Sequence, residues 1–139
     1  MVDLAPPVSV LFLCDRNAVR SPMAAALLSG AHSAGLDPAP YVDPFACTVT
    51  LEIGVDITAH EPRAVDFAAI APATQVIALS PAAFAAAHEW RLKTGFELET
   101  WDLPAIPDPE GPREHTLAGY RALRDALRAH IANRFGGKT

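Results

Sequence analysis

The sequence predicts an α/β fold with a parallel β-sheet, formed by a single domain that spans residues 1–139. Two short apolar runs, 8–13 and 76–80, have the composition of strands that are buried on both faces of a sheet. Each run is followed by a segment rich in helix formers, and a long amphipathic pattern ends the chain. Alternating strands and helices are typical of parallel sheets, because the connection between parallel strands needs a crossover.

The first half of the chain contains one strand and two helices in this interpretation. The strand VSVLFL, 8–13, leads to SPMAAALLSGAH, where Ser21 is a candidate N-cap and Gly30 ends the helix. The residues SAGLDPAP are rich in turn formers, so 33–40 is predicted to be a connection. The segment DPFACTVTLEIG, 43–54, predicts a second helix that is capped by its first residue.

The second half predicts two strands and two helices. VIALS, 76–80, is a buried strand, and the alanine-rich segment after Pro81 is a helix. FELETWDL, 96–103, alternates weakly and predicts a further strand before a proline-rich loop. The last helix covers about 114–135, with apolar residues at three- and four-residue steps: Leu117, Tyr120, Leu123, Leu127 and Ile131. The expected exposed side carries Arg121, Arg124, Arg128 and Arg134.

Composition argues against several classes of partner. The formal net charge is −5 and there is no basic tract, so neither nucleic acid nor a membrane surface is an expected partner. We see no signal peptide and no apolar run of membrane-spanning length, which predicts a cytoplasmic protein. The five histidines and two cysteines lack metal-ligand spacing, so no metal or cofactor is expected. The sequence leaves the oligomeric state open.

The segment LCDRNAVRSPM, 13–23, carries the strongest chemical signal. Cys14 ends a predicted buried strand, and the loop after it leads into a helix N-terminus, where free N–H groups bind anions and favour a thiolate. Arg20 can hold two oxygens of a phosphate-like group, and Ser21 can donate a hydrogen bond to the sulfur. Asn17 tolerates the left-handed backbone that a tight loop needs. A core cysteine with a surface arginine is the alternative interpretation.

VLFLCDRNAVRSPMA resembles the phosphate-binding loop of low-molecular-weight protein tyrosine phosphatases, which arsenate reductases of the same fold share. Further segments follow in the family's order: SAG at 33–35, DPFA at 43–46, EIGVDITAHEPR at 52–63 and DP at 108–109. The resemblance implies a four-stranded parallel sheet flanked by helices on both faces. It also implies a phosphate monoester hydrolase, for phosphotyrosine protein or another phosphorylated substrate, that acts through a phosphocysteine.

The resemblance implies a role for each matching residue. Cys14 would be the nucleophile, Arg20 would bind the equatorial oxygens, and Asp108 would be the general acid and base. Asp102, which leucine follows instead of proline, is the alternative acid. His60 would brace the loop through an asparagine, although a plain surface histidine is an equal alternative. The residues expected to bind the substrate are Asp15, Arg16, Asn17, Ala18, Val19 and Ser21.

Several positions depart from the family pattern and keep other functions open. Arg16 replaces a glycine, Val19 replaces a second loop cysteine, and Asp15 places an acid beside the nucleophile. Glu110 stands where eukaryotic relatives carry tyrosines, which weakens the case for phosphotyrosine. No cysteine pair follows the third strand, so an arsenate reductase would need a small-molecule thiol. A non-catalytic oxyanion-binding regulatory module is the other alternative, whereas Asp108 argues against a phosphocarrier.

Overall fold

A computed structural model describes residues 9–136 and shows a four-stranded parallel sheet in the order β2-β1-β3-β4. The strands are β1 (Val10–Cys14), β2 (His32–Gly35), β3 (Gln75–Ala78) and β4 (Glu97–Thr100). The helices are α1 (Arg20–Ala26), α2 (Pro44–Leu51), α3 (Pro81–Thr94) and α4 (Arg113–Phe135), and Phe67–Ala69 forms a 3₁₀ turn. The predicted fold class is confirmed. Val8, the first residue of the predicted first strand, lies outside the described residues.

The sheet has a hydrophobic core on each face. Successive side chains of a strand point to opposite faces, and Phe12 and Leu13, both fully buried, belong to different core clusters. Phe12 packs with residues of α1, α2 and α4, whereas Leu13 packs with Ala83 and Ala87 of α3. Helices therefore cover both faces, and this explains why the central strands β1 and β3 are buried along nearly their whole length and are apolar except at Gln75.

The interpretation of 33–40 as a connection is wrong for its first residues. His32–Gly35 forms the edge strand β2, which pairs with β1 and places Gly35 beside Cys14. Small residues have a low strand propensity, so the local sequence does not predict this strand. Its backbone pairs with β1 on one side, and Gly35 also bridges to Ala64 on the other. Tertiary pairing therefore overrides the local preference here.

Helix α1 begins and ends earlier than predicted. Its N-cap is Val19, which provides no side-chain cap, and its last residue is Ala26 instead of a residue near Gly30. Ser21 is therefore inside the helix and is not the N-cap. Its hydroxyl instead contacts Cys14 Sγ and Asn17 Nδ2. The caps predicted from Asp43 and the helix start at Pro81 are present in α2 and α3.

Arg124 is buried, contrary to its predicted place on the exposed side of α4. Only 8% of the residue is exposed, and Nη1 donates 2.9 Å hydrogen bonds to Val49 O and Glu52 Oε1. Hydrogen bonds from Arg121, and a further one from Arg124, lower the pKa of the Glu52 carboxyl from 4.5 to about 2. These charge-assisted bonds tie the end of α2 to α4. None of the described helices is long and apolar enough to cross a bilayer.

Candidate active site

Cys14 lies at the carboxyl end of β1, where ligands bind in open parallel sheets. The following loop, 15–19, turns into α1 at Arg20. Cys14 is one of the residues that line a cavity of about 350 Å³. Arg16 and Arg20 also line this cavity, together with Tyr41 and Ile106 from two other segments. Cys14 and Arg20, which are six residues apart in the chain, therefore line the same cavity.

The carbonyl groups of residues 14–18 all accept hydrogen bonds from residues outside the loop. The donors to the carbonyls of residues 14, 15, 16, 17 and 18 are, in that order, Leu36 N, Asp37 N, Ala39 N, His60 Nε2 and Asp43 N. Within the described part of the chain, the N–H groups of 15–19 donate to no acceptor. A run of free backbone N–H groups is an anion-binding arrangement. The loop therefore has donors available beside Cys14, with its acceptors already used.

Asn17 holds the loop together from within. It is fully buried and has φ +54°, the left-handed conformation that the sequence predicted. Its Nδ2 donates to Ser21 Oγ at 2.7 Å and to Ser33 Oγ at 3.0 Å, while Oδ1 accepts from Arg63 N at 2.8 Å. His60 Nε2 lies 3.0 Å from Asn17 O and 3.2 Å from Oδ1. Both oxygens only accept, so Nε2 carries the proton. The contact between His60 and Asn17 that the resemblance implied is thus present.

The Ser21 hydroxyl lies 2.9 Å from Cys14 Sγ. Ser21 Oγ already accepts a hydrogen bond from Asn17, which leaves its own O–H to be donated. The other acceptor within reach, Ala34 O, is farther away at 3.5 Å. The short contact therefore suits donation from Ser21 to the sulfur, and such a bond stabilises a thiolate more than a neutral thiol.

The negative charge of Asp15, beside the candidate nucleophile, lies close to the guanidinium of Arg20. Arg20 Nη2 lies 4.0 Å from Asp15 Oδ2, and the other carboxylate oxygen accepts a hydrogen bond from Ser80 Oγ. The side chain of Arg20 is 15% exposed, and its buried Nε has no hydrogen-bond partner among the described residues. Arg16 is directed elsewhere, into a 2.8 Å ion pair with Asp37. Arg20 is thus the arginine that offsets Asp15, and it keeps donors free for an oxyanion.

The structure separates the two candidate acids. Asp102 lines a second cavity of about 410 Å³, which it shares with Arg20 and Trp101. Asp108 is exposed and lines neither of these two cavities in the described chain, and its Oδ1 accepts from Glu110 N at 2.9 Å. Ile106, in the same loop as Asp108, lines the Cys14 cavity. Both aspartates therefore remain candidates: Asp102 shares a cavity with Arg20, whereas Asp108 approaches the Cys14 cavity only through its loop neighbour Ile106.

Sequence reasoning missed three residues that support the loop. Ser33 binds Asn17, Ser80 binds Asp15 while capping α3, and Gly35 lies against the loop backbone. SAG at 33–35 and the Ser80-Pro81 step can be seen in the sequence, but only the fold shows that they contact the loop of Cys14. Within residues 9–136, no group of three or more His, Cys, Asp or Glu side chains could hold a metal ion.

Gly35→Ala is expected to disturb the loop through a direct clash. A Cβ at Gly35 would lie 2.7 Å from Asn17 N and 2.9 Å from the carbonyl carbon of Arg16, and backbone atoms cannot move aside cheaply. For the phosphatase activity that the resemblance implies, we expect kcat/KM for p-nitrophenyl phosphate to fall about 10- to 100-fold, because small displacements of a preorganised site are costly. Steady-state kinetics, with phosphate inhibition as a second measure, test this. Wild-type values for both would contradict it.

Many solved structures are similar to this chain, although sequence comparisons find no relative. Neither a protein-family model nor a curated protein sequence matches the chain. The YwlE arginine phosphatase from Geobacillus stearothermophilus is 30% identical, with 90% of this chain and 88% of that chain covered and a TM-score of 0.69.

Two further solved structures show the same fold at lower identity. An arsenate reductase in its phosphate-binding state is 24% identical, covering 94% of this chain and 98% of its own, with a TM-score of 0.70. The low-molecular-weight protein tyrosine phosphatase from T. tengcongensis is 22% identical, covering 91% and 99%, also with a TM-score of 0.70. Nearly the whole length of each protein is therefore shared with this chain.

Proposed function

This chain belongs to the low-molecular-weight protein tyrosine phosphatase family, and we propose that it hydrolyses phosphate monoesters through a phosphocysteine intermediate on Cys14. One observation carries the proposal. The carbonyls of the loop accept hydrogen bonds from donors outside it, and within residues 9–136 the N–H groups of 15–19, beside Cys14 and Arg20, donate to no acceptor. That set of donors suits a tetrahedral dianion.

In the first step, Cys14 Sγ attacks phosphorus as a thiolate, and the bond from phosphorus to the leaving oxygen breaks. Asp108, the acid that the resemblance of its Asp-Pro step indicates, donates a proton to that oxygen, so the leaving group departs as a neutral alcohol or phenol. The loop N–H groups and the guanidinium of Arg20 stabilise the charge on the equatorial oxygens. Arg20 suits this role because its buried Nε has no partner among the described residues.

In the second step, water attacks the phosphorus of the phosphocysteine and the S–P bond breaks. Asp108, now a carboxylate, accepts a proton from the water, and inorganic phosphate forms. The electron pair returns to Cys14 Sγ, which leaves as a thiolate. Ser21 supports this departure because its hydroxyl lies 2.9 Å from the sulfur. The cycle is then ready to repeat, with no cofactor consumed.

The proposed substrate is a phosphorylated small molecule or a phosphoprotein. Tyr41, which is 68% exposed, and Ile106 line the cavity that contains Cys14, and both offer apolar surface to a leaving group. Glu110 supplies no aromatic surface in the loop of Asp108. The cavity therefore favours an apolar leaving group without selecting tyrosine in particular.

A second candidate is arsenate reduction, because an arsenate reductase in its oxidised state is 26% identical to this chain over 91% of it. Cys47 is the other cysteine, and it is half-buried on α2 and does not line the Cys14 cavity. Burial, and to a lesser degree Asp43, raises the pKa of the Cys47 thiol, so it is a poor resolving nucleophile. A reductase would therefore need a small-molecule thiol such as glutathione or mycothiol.

Acid-quenched turnover of p-nitrophenyl phosphate tests the proposal. We expect hydrolysis, and mass spectrometry of the quenched enzyme should find the phosphoryl group on the peptide that contains Cys14 and not on the one that contains Cys47. Phosphate binding without turnover would identify a regulatory module instead. Arsenite release that requires glutathione or mycothiol, without phosphatase activity, would identify a reductase.

A further inference from the structure

We propose that Gly119 and Thr116 of α4 are positioning residues that hold the loop of Asp108 where this acid can protonate the leaving group. The proposal rests on the proposed function, in which Asp108 protonates the leaving group. The two residues lie on one face of α4 and do not react with the substrate themselves. Two different contacts, one steric and one a hydrogen bond, carry the proposal.

Gly119 lies inside α4, a helix of 23 residues, where glycine is less favourable than alanine. It has no positive φ that would require glycine. A Cβ at this position would lie 2.4 Å from Pro107 Cγ and 3.1 Å from Pro107 Cβ. The proline ring thus occupies the space that any side chain at 119 would take. The glycine lets the residue before Asp108 pack directly against the helix.

Thr116 lies three residues earlier, on the same side of the helix. It is buried, and its Oγ1 donates a 3.0 Å hydrogen bond to the carbonyl oxygen of Asp108. The Gly111 N–H reaches the same oxygen at 3.4 Å. Pro107 is therefore fixed by shape and Asp108 by a hydrogen bond, both from one face of α4.

The contacts of α4 leave the carboxyl group of Asp108 itself available. They involve the ring of Pro107 and the carbonyl of Asp108, while within residues 9–136 the carboxylate accepts a hydrogen bond only from Glu110 N. Ile106, next to Pro107, lines the cavity of Cys14. A displacement of Pro107 would therefore move the acid relative to the thiolate without removing either group.

Gly119→Ala is expected to produce a leaving-group-dependent defect. Phenolate is a poor leaving group that needs protonation, whereas p-nitrophenolate needs little. We expect kcat/KM to fall about 10-fold or more for phenyl phosphate and much less for p-nitrophenyl phosphate. The thermal unfolding midpoint should change little, because the better helix propensity of alanine offsets part of the cost of displacing the proline ring. An equal loss for both substrates, or none for either, would overturn the proposal.

A double-mutant cycle isolates the contact with Pro107. In a Pro107→Gly background the ring is gone, so Gly119→Ala should have little additional effect on kcat/KM for phenyl phosphate. Thr116→Val should reproduce the leaving-group dependence, and Thr116→Ser, which keeps the hydroxyl, should restore most of the activity. An undiminished effect of Gly119→Ala without the ring would show that it does not act through Pro107, against the proposal.

Asp108→Asn separates failure of the inference from failure of the proposed function. If Asp108→Asn shows the strong leaving-group dependence and Gly119→Ala does not, α4 does not position the acid. If Asp102→Asn shows it and Asp108→Asn does not, the acid of the proposed function is wrong, and the role proposed for Gly119 and Thr116 is overturned with it.

Discussion

Replacing Cys14 with serine should reduce kcat for p-nitrophenyl phosphate by about 10⁴-fold or more, the scale of loss when a catalytic nucleophile is removed. Serine keeps the size of the side chain and its hydrogen-bonding contact with Ser21, but its hydroxyl ionises far less readily than a thiol. The N–H groups of 15–19 and the guanidinium of Arg20 are unaffected. Phosphate should therefore still bind to the variant, which titration calorimetry can measure.

Cys47→Ser is the matched control for this variant. Cys47 is the second cysteine of the chain, it is half-buried on α2, and it does not line the Cys14 cavity. We expect near-wild-type kcat from Cys47→Ser. Turnover that survives Cys14→Ser would contradict the covalent mechanism, and a comparable loss in both variants would point to a shared folding defect.

The sequence predicted the strands and helices whose formation depends on residues close together in the chain. Burial on both faces of the sheet gives β1 a continuous apolar run before Cys14, and burial of one side gives α4 an amphipathic repeat. Both patterns can be recognised in the sequence alone. Strand β2 could not be predicted in this way. It is short, built from His32–Gly35, and depends on pairing with β1 and on the close approach of Gly35 to the loop.

In the candidate site, the geometry of the loop could be predicted from its own residues, whereas the groups that support the loop could not. The spacing of Cys14 and Arg20 and the left-handed Asn17 follow from the loop's own residues. The groups that hold the loop's carbonyls come from 36–43 and from His60, and only the resemblance pointed to the histidine. Arg124 shows the opposite limit, because its burial is decided by a carbonyl and a carboxylate on another helix.

Arg20→Lys should lower kcat/KM for p-nitrophenyl phosphate by about 10²- to 10³-fold, although it keeps the positive charge. Lysine cannot present two parallel N–H donors to two oxygens, and its ammonium is more strongly hydrated than a guanidinium. The side chain of Arg20 is largely buried, and its Nε has no partner among the described residues, so a planar donor is positioned there without protein acceptors. Steady-state kinetics together with the inhibition constant of phosphate measure the effect.

Arg16→Lys provides the matched comparison, because Arg16 lies in the same loop and lines the same cavity. Its guanidinium is directed to Asp37 in an exposed ion pair, and such pairs contribute little. The backbone N–H at 16 is unchanged by the substitution, so we expect a loss of at most about fivefold. Equal losses in the two variants would mean that the net charge of the cavity determines the rate. A large loss confined to Arg20→Lys would mean that the paired N–H donors of the Arg20 guanidinium bind the transferring phosphoryl group.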